Sequence, residues 1–303
     1  MKAIVTGGAG FIGSNIVDAL LEKGYEVSII DDLSTGKRSN INSQVIHHEV
    51  SLHKASVEDL AEILKGVDVV FHTAALARVQ PSIKDPVRYN EANVTAIVHL
   101  LTACVEAKVK RVVYSASSSA YGNAEVFPTP EDAPTDSLSP YGLQKYIGEL
   151  YCRMFSKVYG IDTVCLRYFN IYGPRMNFEG AYKTVIGVFA EQKKSGQPLT
   201  ITNDGKQRRD FTYVKDVVRA NILAGESTES FVGEVFNIGN GANISINEVA
   251  DMIGGEKTYG EQRLEPFETL ADNSKAKQIL DWIPEGNLGK FIKEDLWNLE
   301  ELK

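Results

Sequence analysis

Tyr141 and Lys145 stand four residues apart at the start of a stretch predicted to be helical, so both side chains leave one face, one turn apart. A phenol near its ordinary pKa of about 10 is a poor base. An ammonium one turn away favours the phenolate and brings proton transfer closer to working pH. With 13 tyrosines in the chain the spacing alone is weak, but it is the only Tyr-x-x-x-Lys present. It follows Ser139-Pro140, at the end of a loop after a predicted strand, Arg111–Ser115. That strand runs into Ser115-Ala-Ser-Ser-Ser-Ala-Tyr-Gly122. On their own, Ser117 to Ser119 are consistent with a polar strand end.

The elements that would position these groups alternate. Lys2–Thr6, Glu26–Ile30, Asp68–His72, Arg111–Ser115 and Thr163–Phe169 read as strands. Phe11–Lys23, Val57–Lys65, Val94–Ala107 and Gly142–Val158 read as helices. This rhythm implies a parallel sheet covered by helices on both faces, an α/β doubly wound Rossmann architecture. After Asn170 the rhythm weakens into shorter pieces, which predicts a smaller C-terminal substrate-binding lobe. The reading divides the chain into 1–169, with a return segment at about 210–235 around Phe211–Leu223, and a lobe of 170–209 and 236–303.

The first strand ends in Thr6-Gly-Gly-Ala-Gly-Phe-Ile-Gly13 and a helix follows. Gly7, Gly10 and Gly13 would allow a tight turn, close approach to a pyrophosphate and close helix–strand packing. The helix N-terminus would add N–H groups and a positive dipole end for the phosphates. The second strand runs into Asp31 and Asp32. A carboxylate there accepts from ribose hydroxyls and repels a 2′-phosphate, which favours NAD over NADP. Lys37 and Arg38 nearby read as solvated charge.

The composition is that of an ordinary globular chain: 303 residues, 43% hydrophobic and 24% charged. A formal charge of −8 repels phosphate backbones and argues against nucleic acid as partner. Three cysteines in apolar surroundings (Cys104, Cys152 and Cys165) read as core fillers in a reducing compartment. No apolar run approaches the roughly 18 residues of a membrane span, and Met1 leads straight into a strand, so the expected location is cytoplasmic, without a membrane partner. The 5 histidines have no paired cysteines or carboxylates at ligand spacing, so no metal is expected.

Further motifs carry a resemblance along nearly the whole chain. They are TGGAGFIGSN at 6–15, DDLSTG at 31–36, HTAA at 72–75, SSSAYG at 117–122 and YGLQK at 141–145. RYFNIYGPR at 167–175, RRDFTYVKDV at 209–218 (with Arg208 before it), FNIG at 236–239 and ADNSKA at 271–276 continue it. Together they resemble the extended short-chain dehydrogenase/reductase family, in its UDP-glucose 4-epimerase branch. The resemblance implies that Tyr141 is the acid/base at the sugar 4-hydroxyl, that Lys145 binds the nicotinamide ribose and lowers the Tyr141 pKa, and that Ser117 relays the proton. Tightly held NAD would take a hydride from C4 and return it to the other face.

The resemblance also implies binding residues. For the cofactor these are Gly7, Gly10, Phe11, Ile12 and Gly13, then Asp31, Asp32, Ser34, Thr35 and Gly36. Glu49 and Val50 would lie near the adenine. Thr73, Ala74, Ala75, Ala77, Asn93, Ser115, Tyr141, Lys145 and Tyr168 would complete the site. For a UDP-sugar substrate they are Arg78, Ser117, Ser118, Ser119, Tyr141, Asn170, Val185, Thr200, Thr202, Arg209, Arg263, Glu265 and Thr269. Arg209 and Arg263 would clamp the diphosphate, for which a planar guanidinium fork is suited. The chain departs from the family where Arg263-Leu-Glu265 lacks a glycine, where Glu49-Val50 replaces Asp-Ile or Asp-Val, and at Asn93–Ile97 and Asn203.

Dehydratase relatives carry Asp-Glu just after the catalytic hydroxyl residue, and decarboxylases a glutamate at the place of Ser119. Ser118-Ser119 therefore points to epimerisation. A dehydratase, decarboxylase, reductase or catalytically idle NAD-binding sensor remain the alternatives. Thr269 matches a position where a bulky aromatic restricts some relatives to plain hexoses, so a small residue leaves room for an N-acetyl group. NFEGAYKTVI at 177–186 resembles epimerases of N-acetylhexosamines. UDP-GlcNAc and UDP-GalNAc are therefore the expected substrates, alongside UDP-Glc and UDP-Gal, and Thr269→Tyr should remove the N-acetyl activity first. Relatives pair the helices matching Val94–Ala107 and Gly142–Val158 in a four-helix interface, which implies a homodimer.

Overall fold

The structure, a computed structural model, describes residues 1–178, 183–262 and 265–299. Its centre is a parallel sheet of seven strands: β1 (Lys2–Thr6), β2 (Glu26–Ile30), β3 (Ile46–His48), β4 (Val69–His72), β5 (Arg111–Ser117), β6 (Asp162–Tyr168) and β11 (Val232–Ile238). Their order is β11-β6-β5-β4-β1-β2-β3. The chain winds outward from β1 in one direction, then restarts at β4 on the other side. This is the Rossmann arrangement, and it opens a crevice at the carboxyl ends of β1 and β4.

The strands are apolar on both sides because both faces are covered. Neighbouring residues of β1 go to opposite layers, as a period of two requires. Val5 packs with Phe71 of β4 and with Ile16, Leu20, Val217 and Ala224 of helices α1 (Phe11–Glu22) and α8 (Val214–Glu226). Ile4 packs with Tyr114 of β5 and with Leu60, Leu100 and Phe155 of helices α2 (Val57–Ile63), α5 (Ala96–Glu106) and α6 (Pro140–Tyr159). All three cysteines are free and buried.

The helix expected from Val94 has an earlier start. Short helices α3 (Val79–Lys84) and α4 (Pro86–Asn90) run into a π turn, Glu91–Thr95, that continues as α5. Such turns recur at functional sites, and this one buries Asn93. The returning segment closes with β11, which runs to Ile238, because Phe236 and Ile238 pair with Leu166 and Tyr168 inside the core.

The second lobe is built from two-residue and three-residue strands in pairs. These are β7 (Ile171–Tyr172) with β10 (Thr212–Tyr213), β8 (Leu199–Ile201) with β13 (Lys257–Tyr259), and β9 (Arg208–Asp210) with β12 (Asn243–Ser245). Helices α7 (Val185–Lys194), α9 (Ile246–Ile253) and α11 (Leu288–Glu294) bury Phe189, Val249 and Phe291 against Ile201 and Tyr172. The α9 start is held by a reciprocal Ser245–Glu248 capping box. Helix α10 (Ser274–Leu280) returns to the first core, and Trp282 beside it donates Nε1–H to Asp216 O at 2.8 Å.

Among the described residues no helix is long and apolar enough to cross a membrane, and no cluster of three or more His, Cys, Asp or Glu could hold a metal.

Candidate active site

A cleft of about 1030 Å³ lies between the carboxyl end of the sheet and the second lobe. One end is the β1–α1 turn. Gly7 has φ +70°, and a Cβ there would lie 2.7 Å from Ala74 N. At Gly13 a Cβ would lie 2.1 Å from Gly7 O, so the helix sits on the turn with only hydrogen atoms between them. Gly10 caps α1 without any side-chain bond, and the first-turn N–H groups point into the cleft for an anion. Asp31 ends β2 beside them. Its carboxylate accepts from Ala9 N at 2.9 Å and Leu33 N at 2.8 Å, which aims the remaining lone pairs at the cleft. Burial raises its pKa, and the two N–H bonds oppose that. A dinucleotide fits this end: pyrophosphate at the bare helix start, a ribose at Asp31.

The middle of the cleft holds the predicted catalytic groups. Ser139 caps α6 by accepting from Gly142 N at 3.1 Å, and Pro140 follows it. A Cβ on Gly142 would come within 2.5 Å of Ser119 O. That missing side chain lets α6 start against the end of β5, bringing Tyr141 to Ser117. The Ser117 side chain is close enough to act on the Tyr141 hydroxyl, and it bonds Ser119 Oγ at 3.1 Å. Tyr141 is further fixed by its own N–H, which donates to Ser82 Oγ at 3.1 Å.

Burial raises the Tyr141 pKa, while the Ser117 hydroxyl and then the charge of Arg78 lower it. Lys145 stands behind the wall, buried, and donates Nζ–H to Ser115 O at 2.7 Å with its ammonium 5.0 Å from the Tyr114 ring centroid. Burial pulls its pKa down to about 8. Arg78, which spacing alone did not single out, also borders the cleft and is a cation acting on the tyrosine. His72 is fully enclosed, bonded to Thr6 Oγ1 at 2.7 Å, and pushed down to about 3 by burial, so it stays neutral.

The second lobe supplies the far wall. Asn170 (φ +26°), Thr269, Arg209 and Glu265 all line it. Arg209 Nη2 donates to Glu265 at 2.6 Å, and Glu265 also accepts from Asn203 at 3.0 Å and Thr202 at 3.3 Å. The two residues expected to meet the nucleotide separately are thus joined to each other. Arg263, expected beside them, lies outside the described residues, as do residues 179–182 of the 177–186 stretch.

Most remaining candidates also border the cleft: Phe11, Ile12, Asp32, Ser34, Thr35, Val50, Thr73, Ala75, Ala77, Ser118 and Tyr168. Several stand behind its wall. Asn93 holds the 76–77 turn by bonding Leu76 N at 2.8 Å and Leu76 O at 3.0 Å. Ser115 bonds the Tyr168 hydroxyl at 3.1 Å. Gly36 makes room for the Asp31 carboxylate, which a Cβ would approach to 2.9 Å. Glu49 pairs instead with Arg38 at 2.7 Å on the surface. Thr200 is exposed and accepts from Gln192 at 2.9 Å. Val185 begins α7 beside Thr184, which does border the cleft.

Sequence reasoning missed Arg175. It lines the cleft, bonds Asp18 at 2.5 Å through Nη2, and buries Nη1 without a protein partner. Its signal was the last residue of the RYFNIYGPR motif.

Residues 3–239 match the NAD dependent epimerase/dehydratase family. A UDP-glucose 4-epimerase of Mycolicibacterium smegmatis is 35% identical over 306 residues, with 96% of each chain covered. The crystal structure of the UDP-glucose 4-epimerase of Thermotoga maritima with UDP-glucose superposes with a TM-score of 0.91 at 38% identity, covering 97% of this chain and 96% of that one. The UDP-N-acetylglucosamine 4-epimerase of Methanobrevibacter ruminantium in complex with UDP-N-acetylmuramic acid gives 0.90 at 38% identity, covering 97% and 95%. With a glycine turn and Asp31 shaped for the dinucleotide and a family match across most of its length, the chain belongs to the NAD dependent epimerase/dehydratase family.

Proposed function

We propose that the protein is a UDP-sugar 4-epimerase that interconverts UDP-GlcNAc and UDP-GalNAc, with UDP-Glc and UDP-Gal as further substrates. The observation that carries this reading is Tyr141 beside Ser117 in the dinucleotide cleft, flanked by Ser118 and Ser119 rather than by an acid/base pair. β-Elimination needs its own acid and base; epimerisation at a carbinol carbon needs one residue that takes and returns a proton.

Tyr141 removes the proton of the sugar 4-hydroxyl as the C4–H bond breaks. NAD, when bound in the cleft at Gly7–Gly13 and Asp31, would supply the hydride acceptor and donor for C4, so no outside reductant is consumed. Ser117 hydrogen-bonds the phenolate during the transfer. The Arg78 charge offsets what burial costs the ionised tyrosine. Lys145, which donates to Ser115 O, would bind the nicotinamide ribose. Arg209, held at the cleft wall by Glu265, would meet the diphosphate. Thr269, with no aromatic ring, leaves room for an acetamido group. We assign the cofactor domain to 1–169 with the returning segment, and the sugar-nucleotide lobe to the rest.

A second copy of the chain is the expected partner. Leu143, Leu150, Met154 and Val158 are exposed along α6, on the side opposite its buried Gly148, Cys152 and Phe155. A single helical stripe of this kind suits a two-fold, self-complementary contact.

The test is incubation of the purified protein with UDP-GlcNAc, and separately with UDP-Glc, without added reductant, followed by NMR. The 4-epimers should appear with no net NADH. Conversion of neither sugar, with NAD still bound, would sink the reading.

A further inference from the structure

Arg175 carries two unfavourable features. It is a non-glycine residue at φ +66°, and its Nη1 is buried with no partner among the described residues. A left-handed backbone and an unsatisfied donor persist only where surrounding contacts hold them in place. The contacts here join the second lobe to helix α1. Arg175 Nη2 donates to Asp18 Oδ2 at 2.5 Å, and Asn15 Nδ2 donates to Pro174 O at 3.2 Å as well as to Phe11 O at 2.8 Å. Phe11 packs against the second-lobe core that contains Met176. Phe11, Asn15 and Asp18 lie four and then three positions apart, on one face of the helix that begins at the bare phosphate-binding end.

Asp18 ties in a third segment. Its other oxygen, Oδ1, accepts from Asn42 Nδ2 at 2.9 Å. Asn42 belongs to the loop after β2, which also closes on the glycine turn, where Asn40 Nδ2 donates to Ala9 O at 3.0 Å. That loop carries Ser34 and Thr35 along the cleft, and Arg175 and Met176 border the same cleft from the other lobe. One carboxylate thus holds together the cofactor helix, the loop at the ribose end and the second lobe. Asp18 stands about two turns down α1 from the helix start, so it acts on the cofactor only through these neighbours.

We propose that Asp18 and Arg175 are positioning residues that form a clasp between the lobes, and that the clasp retains NAD by holding the second lobe closed over the cofactor helix. Release of the dinucleotide then requires the lobes to part, and its rate follows the population of the parted state. The paired side chains are 31% and 30% exposed, so the clasp contributes a small factor rather than an all-or-none lock. The inference concerns the cofactor and is independent of which UDP-sugar is turned over.

The experiment measures release of NAD from the loaded protein, by trapping freed NAD with an excess of a scavenging dehydrogenase and its substrate and following NADH absorbance. The variants are Asp18→Asn, Arg175→Met, and the charge-swapped pair Asp18→Lys with Arg175→Glu. Lys23→Met is the control, because its partner Glu226, at 3.1 Å, lies on α8, so that pair ties α1 to a helix of its own layer and not to the second lobe. Asp18→Asn and Arg175→Met should each release NAD about threefold to fivefold faster. The swapped pair should return toward the wild-type rate, and Lys23→Met should leave it unchanged. Unchanged release in Asp18→Asn overturns the proposal; that variant, isosteric with the wild type, decides the question if Arg175→Met does not fold. Release from the swapped pair as fast as from the single variants overturns it too, since loss of packing rather than of the ion pair would then be the cause. So does an equal acceleration by Lys23→Met, which would mark a general loosening of α1.

Discussion

Two glycines of one turn should fail in different ways when replaced by alanine. A Cβ on Gly13 would stand 2.1 Å from Gly7 O, 2.8 Å from Gly7 C and 2.8 Å from Thr73 Oγ1. The first two neighbours are backbone, and Thr73 is tied to Thr6 O at 2.7 Å, so nothing there can swing aside. Helix α1 would have to back away by roughly 1 Å to reach ordinary contact distance, and overpacking of that kind costs about 1–3 kcal/mol. For a chain of this size each kcal/mol moves the melting temperature by about 2–4 °C, so Gly13→Ala should melt about 5–10 °C lower. On Gly10 the same methyl meets only Gly7 O, at 3.1 Å, which a few tenths of an ångström relieve. Gly10→Ala should therefore melt within about 2 °C of wild type in the absence of NAD. Both should lose NAD, the first because the turn is displaced and the second because the methyl occupies the bare helix start where the pyrophosphate would sit. The assay is thermal unfolding with and without saturating NAD, together with the NAD content of the purified protein. A Gly13→Ala protein that melts like wild type and keeps its NAD would refute the packing argument. A Gly10→Ala protein that keeps its NAD would remove the pyrophosphate from that helix end.

Two further outcomes follow from the same geometry. Burial holds Lys145 near pKa 8, so between about pH 8 and its unfolded value near 10.4 the folded state binds fewer protons than the unfolded state, and stability from this group rises with pH. Its ammonium is lost across the same window, so kcat/KM should fall through about pH 8 while the melting temperature does not. An alkaline limb centred above about pH 10 would contradict this, and Lys145→Arg should move the limb upward if the charge is what matters. On the α6 surface, Leu150→Glu should convert the expected dimer to monomer in sedimentation velocity, with its far-ultraviolet circular dichroism unchanged; a wild-type protein that sediments as one 33.3 kDa species at every concentration would contradict the dimer itself.

The local chemistry was legible because it is written in contiguous residues. A strand, a glycine turn and a helix start within the first 13 residues define a phosphate-binding end wherever the rest of the chain goes. The Tyr141-x-x-x-Lys145 spacing fixes both side chains on one helical face, and alternation of strand and helix predicts a covered parallel sheet. The short strands of the second lobe left little pattern to read, because two or three residues do not establish a period. Strand β3 was missed for the same reason, and helices α3 and α4, of six and five residues, are less than two helical turns each.

What the sequence determined by itself was the type of fold, the dinucleotide turn, the carboxylate at the end of β2 and the tyrosine–lysine pair. Tertiary structure decided which distant groups meet. It brought Arg78 to the same cleft as Tyr141. It joined Arg209 to Glu265 across 56 positions and Asn170 to Thr269 across 99. It also turned Glu49 and Thr200 away from the cleft. Spacing within one element fixes direction through helix and strand geometry; contacts between elements depend on how two lobes pack, and no local pattern encodes that.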